Sequence, residues 1–439
     1  MSERESKGRL QRPLLVLAVL FSCAAGLALW PLAEPAPEGP PPPESGPAKV
    51  SRALPPPELA ALPDAGFPLP PAPVIAIDAG TRPSPAPLAA GFCAPNGGSE
   101  TFTVRFTLRR LLGESNRRPG LLAPEARALL QEALAAEARA DAAEQLGALR
   151  RLRALLPADP AVAWALAQAQ RDAPDLDEQS AALATYLAAE PTPGIARMRA
   201  RLEVQREIQR DFRRSAREGV TLLWPAEALS EAQAEDLLRE IAQDLDGAAR
   251  LTRTQRRRAL TVVVYPGRAE LLAVSCVQSW AGGLYDGTLR LVALPEQRAG
   301  VDLSTVRHES LHAQVGPLAP RAPKWFHEGL AQSFAEEVPR VRGAWQLMVR
   351  NHSWIPFSSL DESFQVFEDG DDARLVYAQS LALVELLRDA GGEAAIAEAL
   401  RAFEEGLGTP AALARATGRR EVTGEDLLAF LQQRLAANR

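Results

Sequence analysis

The chain has 439 residues, of which 46% are hydrophobic and 24% charged, and a formal net charge of −6. That length exceeds one ordinary core, and the composition is that of globular chains rather than disordered ones. Acidic and basic residues are interspersed, which leaves no basic footprint for a nucleic acid. Only three cysteines occur (Cys23, Cys93 and Cys276) with no C-x-x-C pair, so neither a cysteine-ligated zinc nor a dithiol redox centre is supported.

Residues 13–32, "PLLVLAVLFSCAAGLALWPL", run apolar behind Arg4, Lys7, Arg9 and Arg12. About 18 to 20 apolar residues suffice to cross a bilayer as a helix, and the basic flank keeps the amino terminus inside. The expectation is a cytoplasmic tail over 1–12 and an uncleaved signal anchor over 13–32. The rest then lies on the periplasmic or extracellular side of the inner membrane. "LFSC" at 20–23 offers the alternative of a lipoprotein acylated at Cys23. In an oxidising compartment Cys93 and Cys276 can pair. More than half of the 37 prolines fall between Pro31 and Pro95, so 33–98 reads as an extended linker. Its short apolar stretch at 74–80 is either a strand or a sticky patch.

From Leu121 to Arg217 the texture is Ala- and Leu-rich with helical periodicity. A shift of 34 sets Pro157 on Pro191, Leu149 on Leu183, Leu152 on Tyr186 and Trp164 on Met198. In both segments an amphipathic helix ends at Pro and a second begins beyond it. Period and layout resemble tetratricopeptide repeats over about two units, although the Gly and Tyr typical of that family are mostly missing. The resemblance implies a surface for a protein partner; a packing shoulder for the next domain is the other reading.

Past Glu218, "GVTLLW" (219–224) and "LTVVVYP" (260–266) are short β-branched apolar runs expected to be buried strands. Between them "SEAQAEDLLREIAQDL" is an amphipathic helix with Ser230 as N-cap. Asp286-Gly287 is a strong turn dipeptide, followed by an alternating strand over 288–293. Placed at a sheet edge, that strand can pair with an extended peptide substrate.

Residues 305–315, "TVRHESLHAQV", contain His308, Glu309 and His312 as H-E-x-x-H. Three of the four histidines, His308, His312 and His327, fall within twenty positions; the fourth, His352, reads as a surface residue. On a helix capped by Ser304, with Val306, Leu311 and Val315 buried, His308 and His312 project from one face and can take two corners of a zinc tetrahedron. Glu309 stands beside the metal without binding it, placed to accept a proton from water that zinc acidifies. A third ligand must come from elsewhere. "APKWFHEGLAQSF" begins a second helix after Pro323. There Glu328, followed by the close-packing Gly329, is preferred over its neighbour His327; the two point about 100° apart, so only one faces the metal.

"RHESLH" followed by "PKWFHEGLA" resembles the gluzincin metallopeptidases, specifically the bacterial peptidase MA-like group. "AGGLYDGTLRL" resembles the strand ahead of that family's active-site helix, and "LVYAQSLALVELLRDAGG" its later Tyr-bearing helix. The similarity runs from about Val220 to Arg434. It implies an α+β zincin-like domain over 218–435, preceded by a helical repeat region over 99–217. It also implies Zn2+ on His308, His312 and Glu328, Glu309 as general base, and Tyr377 as a donor to the tetrahedral oxyanion. The expected function is a membrane-anchored zinc endopeptidase acting on a protein or peptide. The alternative is a helical-repeat adaptor with an inactive peptidase-like domain.

Overall fold

Thr107, Asp141 and Asp175 stand 34 residues apart, and each side chain accepts a hydrogen bond from the backbone N–H three residues on. Each such cap satisfies one of the four orphan donors at a helix start. The helices they open are α1 (Leu108–Arg117), α3 (Ala142–Leu155) and α5 (Leu176–Ala189). The partners α2 (Pro124–Ala138), α4 (Pro160–Ala169) and α6 (Pro193–Gln209) all begin with proline, whose fixed φ and missing N–H cost nothing at the first helical position. The 34-residue period therefore runs through three helix pairs, one more than the sequence comparison finds. Leu130, Leu149, Leu152, Leu183 and Ile195 are fully buried between them. Tyr186 packs against Trp164, with ring centroids 5.5 Å apart.

This computed structural model describes residues 106–437 apart from 140, 171–174, 257–258, 276–281 and 361–369. All described residues belong to one compact unit. The expected tail, anchor and linker, Cys23, the 74–80 stretch and the Cys93–Cys276 pair lie outside them. Among the described residues no helix is long and apolar enough to cross a membrane.

The helical region ends earlier than the sequence suggests. Residues Arg213–Arg217 form β1, which pairs antiparallel with β2 (Val220–Trp224). Nothing apolar marks β1. Its turn, Glu218-Gly219, has both residues in the left-handed region (φ 51° and 84°), the conformation that suits a two-residue hairpin. Beyond α7 (Glu231–Thr252), β3 (Leu260–Tyr265), α8 (Arg268–Ser275), β4 (Gly283–Tyr285) and β5 (Thr288–Val292) complete a mixed sheet of order β1-β2-β3-β5-β4. β2, β3 and β5 are parallel, while β1 and β4 are antiparallel edges. β5 is therefore internal, not the edge strand anticipated over 288–293. The Asp286-Gly287 turn folds β4 back along its outer side, with Gly287 at φ 108°.

Both sheet faces are covered, so β3 is buried at every position. Leu260, Val262 and Val264 join α7, which starts in a Ser230–Gln233 capping box as expected, and α9 (Leu303–Val315). Val263 and Tyr265 face α8 and the end of α6, where Gln209 Nε2 donates to the Tyr265 hydroxyl at 3.2 Å. A second core lies among α10 (Lys324–Phe334), α11 (Val338–Asn351), α12 (Gly370–Glu404), α13 (Thr409–Thr417) and α14 (Gly424–Ala437). Within α12 the helical backbone breaks at Gly391–Gly392. The whole is mostly helical around one small mixed sheet.

α9 runs between the two cores. Val306 and Ala313 belong to the sheet core, Leu311 and Val315 to the helical one. Its N-cap is Asp302, which accepts from the Ser304 N–H and the Thr305 hydroxyl, so Ser304 is a first-turn residue and not the cap. A helix buried on two sides gives its remaining polar side chains a dry, fixed surrounding.

Candidate metal centre

His308 and His312, four residues apart on α9, place their ring centroids 4.8 Å apart at 68°. Glu328 reaches them from α10. Its Oε2 is 3.4 Å from His308 Nε2 and 3.6 Å from His312 Nε2. Among the described residues this is the one group of three His, Cys, Asp or Glu side chains placed to hold a metal ion, with ligand atoms all within 4.8 Å of one another. Ligands at the corners of a zinc tetrahedron, each about 2.0–2.1 Å from the ion, stand about 3.3 Å apart. The carboxylate oxygen stands at about that distance from each imidazole nitrogen, and two imidazoles with a carboxylate are donor types that zinc takes. The residues fit the ion.

Charge agrees with geometry. Burial raises the Glu328 carboxyl, yet His312 and His308 beside it hold its pKa well below the usual carboxylate range. Burial lowers His308, but hydrogen bonds from its ring to Glu328 and Glu337 outweigh that and lift it to about 9. The cluster thus carries complementary charges that an ion would replace by coordination.

The neighbouring histidine points elsewhere. His327, one residue from Glu328, is buried and turned to the Ala319 carbonyl, 3.1 Å from its Nε2. Burial lowers its pKa to about 4, so it is neutral. It braces the loop between α9 and α10 from inside.

Glu309 follows His308 and is buried. Burial raises its pKa, partly opposed by His308 and His312 and by the backbone N–H of Tyr285, whose hydrogen bond the carboxylate accepts. Tyr285 lies in β4. The β4–β5 register, with Val292 N–H donating to the Gly282 carbonyl, turns the Tyr285 peptide away from β5 and toward α9. Edge strand and Glu309 are thus directly connected.

Glu337 was not anticipated from sequence. It sits at the N-cap of α11, and its Oε1 is 3.5 Å from His308 Nδ1 and 3.1 Å from Arg340 Nη1. Tyr377 is half-buried on α12, three residues before Ser380, whose carbonyl lies against Gly329 of α10. His352 is exposed, as expected, and 2.9 Å from Glu425.

No protein-family model matches the chain, and no curated protein is significantly similar to it.

Proposed function

We propose that this chain is a zinc-dependent endopeptidase of the gluzincin type, anchored to the inner membrane by residues 13–32. The observation that carries the reading is the convergence of His308 Nε2, His312 Nε2 and Glu328 Oε2, with the carboxylate of Glu309 buried next to them.

A zinc ion there would lower the pKa of a water molecule and polarise a peptide carbonyl. The protein supplies the rest. Glu309 takes the proton from the attacking water and passes it to the leaving amine, and its raised pKa brings it nearer the range where it can do both. The Tyr285 N–H fixes the carboxylate in place. The sheet and helical cores that enclose α9 exclude bulk water and strengthen these charge interactions. Tyr377 is assigned the remaining role, donation of a hydrogen bond to the oxyanion. The three helix pairs ahead of the sheet fit presentation of a protein partner or substrate.

The test is a comparison of full-length wild type with Glu309→Gln. Wild type is expected to hold one zinc per chain and cleave an unfolded protein substrate. Glu309→Gln should keep its zinc and lose activity by about 10²- to 10⁴-fold. A wild-type chain that is folded but takes up no zinc defeats the proposal.

A further inference from the structure

We propose that Glu337 is a positioning residue for His308, held for that task by Arg340, which also reaches the cap of the helix that carries His308. This rests on the zinc reading above.

The two nitrogens of the His308 ring face different partners. His308 Nε2 faces Glu328 and the point where the ligand atoms converge. For that nitrogen to offer a lone pair, the proton of the neutral ring must sit on Nδ1, and an acceptor there selects that tautomer. Glu337 is the acceptor, 3.5 Å away and largely shielded from solvent. Its own freedom is restricted. Arg340, one turn further along α11, donates to Oε1 at 3.1 Å, and its other nitrogen, Nη2, is 3.8 Å from Asp302 Oδ2. Asp302 caps α9 through the Ser304 N–H.

A closed circuit results. It runs from His308 to Glu337, through Arg340 to Asp302, and back along the first turns of α9 to His308. Glu337 is also tied to α10, its backbone N–H donating to the Gln332 carbonyl at 2.9 Å. The start of α11 is therefore fixed to both helices that supply ligands. A side chain serving only as surface charge would not face the ring of a ligand histidine while its partner stands within ion-pair reach of that helix's cap.

Zinc affinity of the full-length protein, measured by competition with a chromogenic chelator, tests this together with the melting temperature of the metal-free chain. Glu337→Ala should bind zinc about 10- to 100-fold more weakly. Glu337→Gln keeps an acceptor oxygen and should recover most of that loss. With nitrogen-15-labelled histidine, the zinc-loaded wild type should show His308 protonated at Nδ1, and the signal should shift or broaden in Glu337→Ala. At pH 10, above the His308 pKa and so without its charge, the metal-free melting temperature should change little in either variant. Glu337→Ala binding zinc within twofold of wild type overturns the inference while leaving the zinc reading intact. An affinity loss matched by an equal loss of metal-free stability, with no recovery in Glu337→Gln, also overturns it, since the residue would then be merely structural. A wild type that binds no zinc overturns both.

Discussion

Gly329 of α10 lies against the carbonyl oxygen of Ser380 on α12, so close that a Cβ at position 329 would stand 2.3 Å from that oxygen. The glycine beside Glu328 is the point of closest approach between these two helices. It lets α10 settle onto α12, not onto α9. Glu328, about 100° round the same helix, is thereby aimed at the histidines. Gly329→Ala sets a methyl group against a backbone atom, which cannot rotate away. The expected cost is about 2–3 kcal/mol in denaturant unfolding of the metal-free chain, with weaker zinc binding as α10 is displaced. An unchanged midpoint and unchanged zinc affinity would show that the helices are not packed this tightly.

Glu328 and His327 are separated by their directions, so their variants should diverge. Glu328→Ala removes the proposed third ligand and leaves His308 and His312 facing each other, and zinc should be lost from the purified protein. His327→Ala removes the contact with the Ala319 carbonyl and opens a cavity, for an expected cost of about 1–3 kcal/mol, but should retain one zinc per chain. Metal analysis of the two proteins side by side decides it; zinc retained by Glu328→Ala and lost from His327→Ala would reverse the assignment.

The parts of this site that were legible in the sequence are those encoded within one helix or one turn. His308, Glu309 and His312 are contiguous and fixed by the helical period, Glu328 stands on a short helix with a clear start, and Ser230 and Asp286-Gly287 announce a cap and a turn. Several other features depend on residues far apart in the chain. The partner of Gly329 is on α12, and Glu337 reads as one of two adjacent surface glutamates until α11 is seen to start beneath His308. Tyr285 contributes a backbone N–H, which carries no sequence signal at all. β1 is made by its hairpin turn and its pairing with β2, without an apolar pattern of its own. The first helix pair escaped because a shift of 34 compares apolar positions, whereas the repeat is clearest in its caps, Thr107, Asp141 and Asp175.

Asp244 on α7 gives a pH dependence. Burial raises its pKa from an ordinary 3.8 to about 7, with Arg307 (its Nε 3.7 Å away) opposing the rise and Glu240 adding to it. The folded protein holds this proton more tightly than the unfolded chain does. Ionisation therefore costs stability, which should fall as pH rises from about 4 to about 7 and then level off. Three pH units correspond to a ceiling of roughly 4 kcal/mol, and Arg307 moving closer to the charge should reduce this to about 1–3 kcal/mol. Asp244→Asn should be more stable than wild type at pH 8 and about equal to it at pH 4. Unfolding midpoints measured across that interval check the slope, and parallel curves for the two proteins would rule the burial effect out.

The β4–β5 hairpin that brings Tyr285 to Glu309 is secured by a buried charge. Arg290 of β5 donates through Nε to Asp286 Oδ2 at 3.0 Å and through Nη1 to the Tyr265 hydroxyl at 2.6 Å. Burial disfavours its charge, and the surrounding acceptors, led by Asp286, more than compensate. Removing one partner of such a pair strands the other, which typically costs about 3–5 kcal/mol, whereas removing both can be nearly neutral. Asp286→Asn keeps an oxygen for the Thr288 N–H at the turn and deletes only the charge. It should destabilise the chain by about 3 kcal/mol, and adding Arg290→Met should recover most of the loss. Because the hairpin carries the Tyr285 N–H, Asp286→Asn should also slow peptide hydrolysis while leaving zinc content unchanged. A double variant no more stable than Asp286→Asn alone would mean that the pair is not coupled and that the hairpin is held by its backbone pairing.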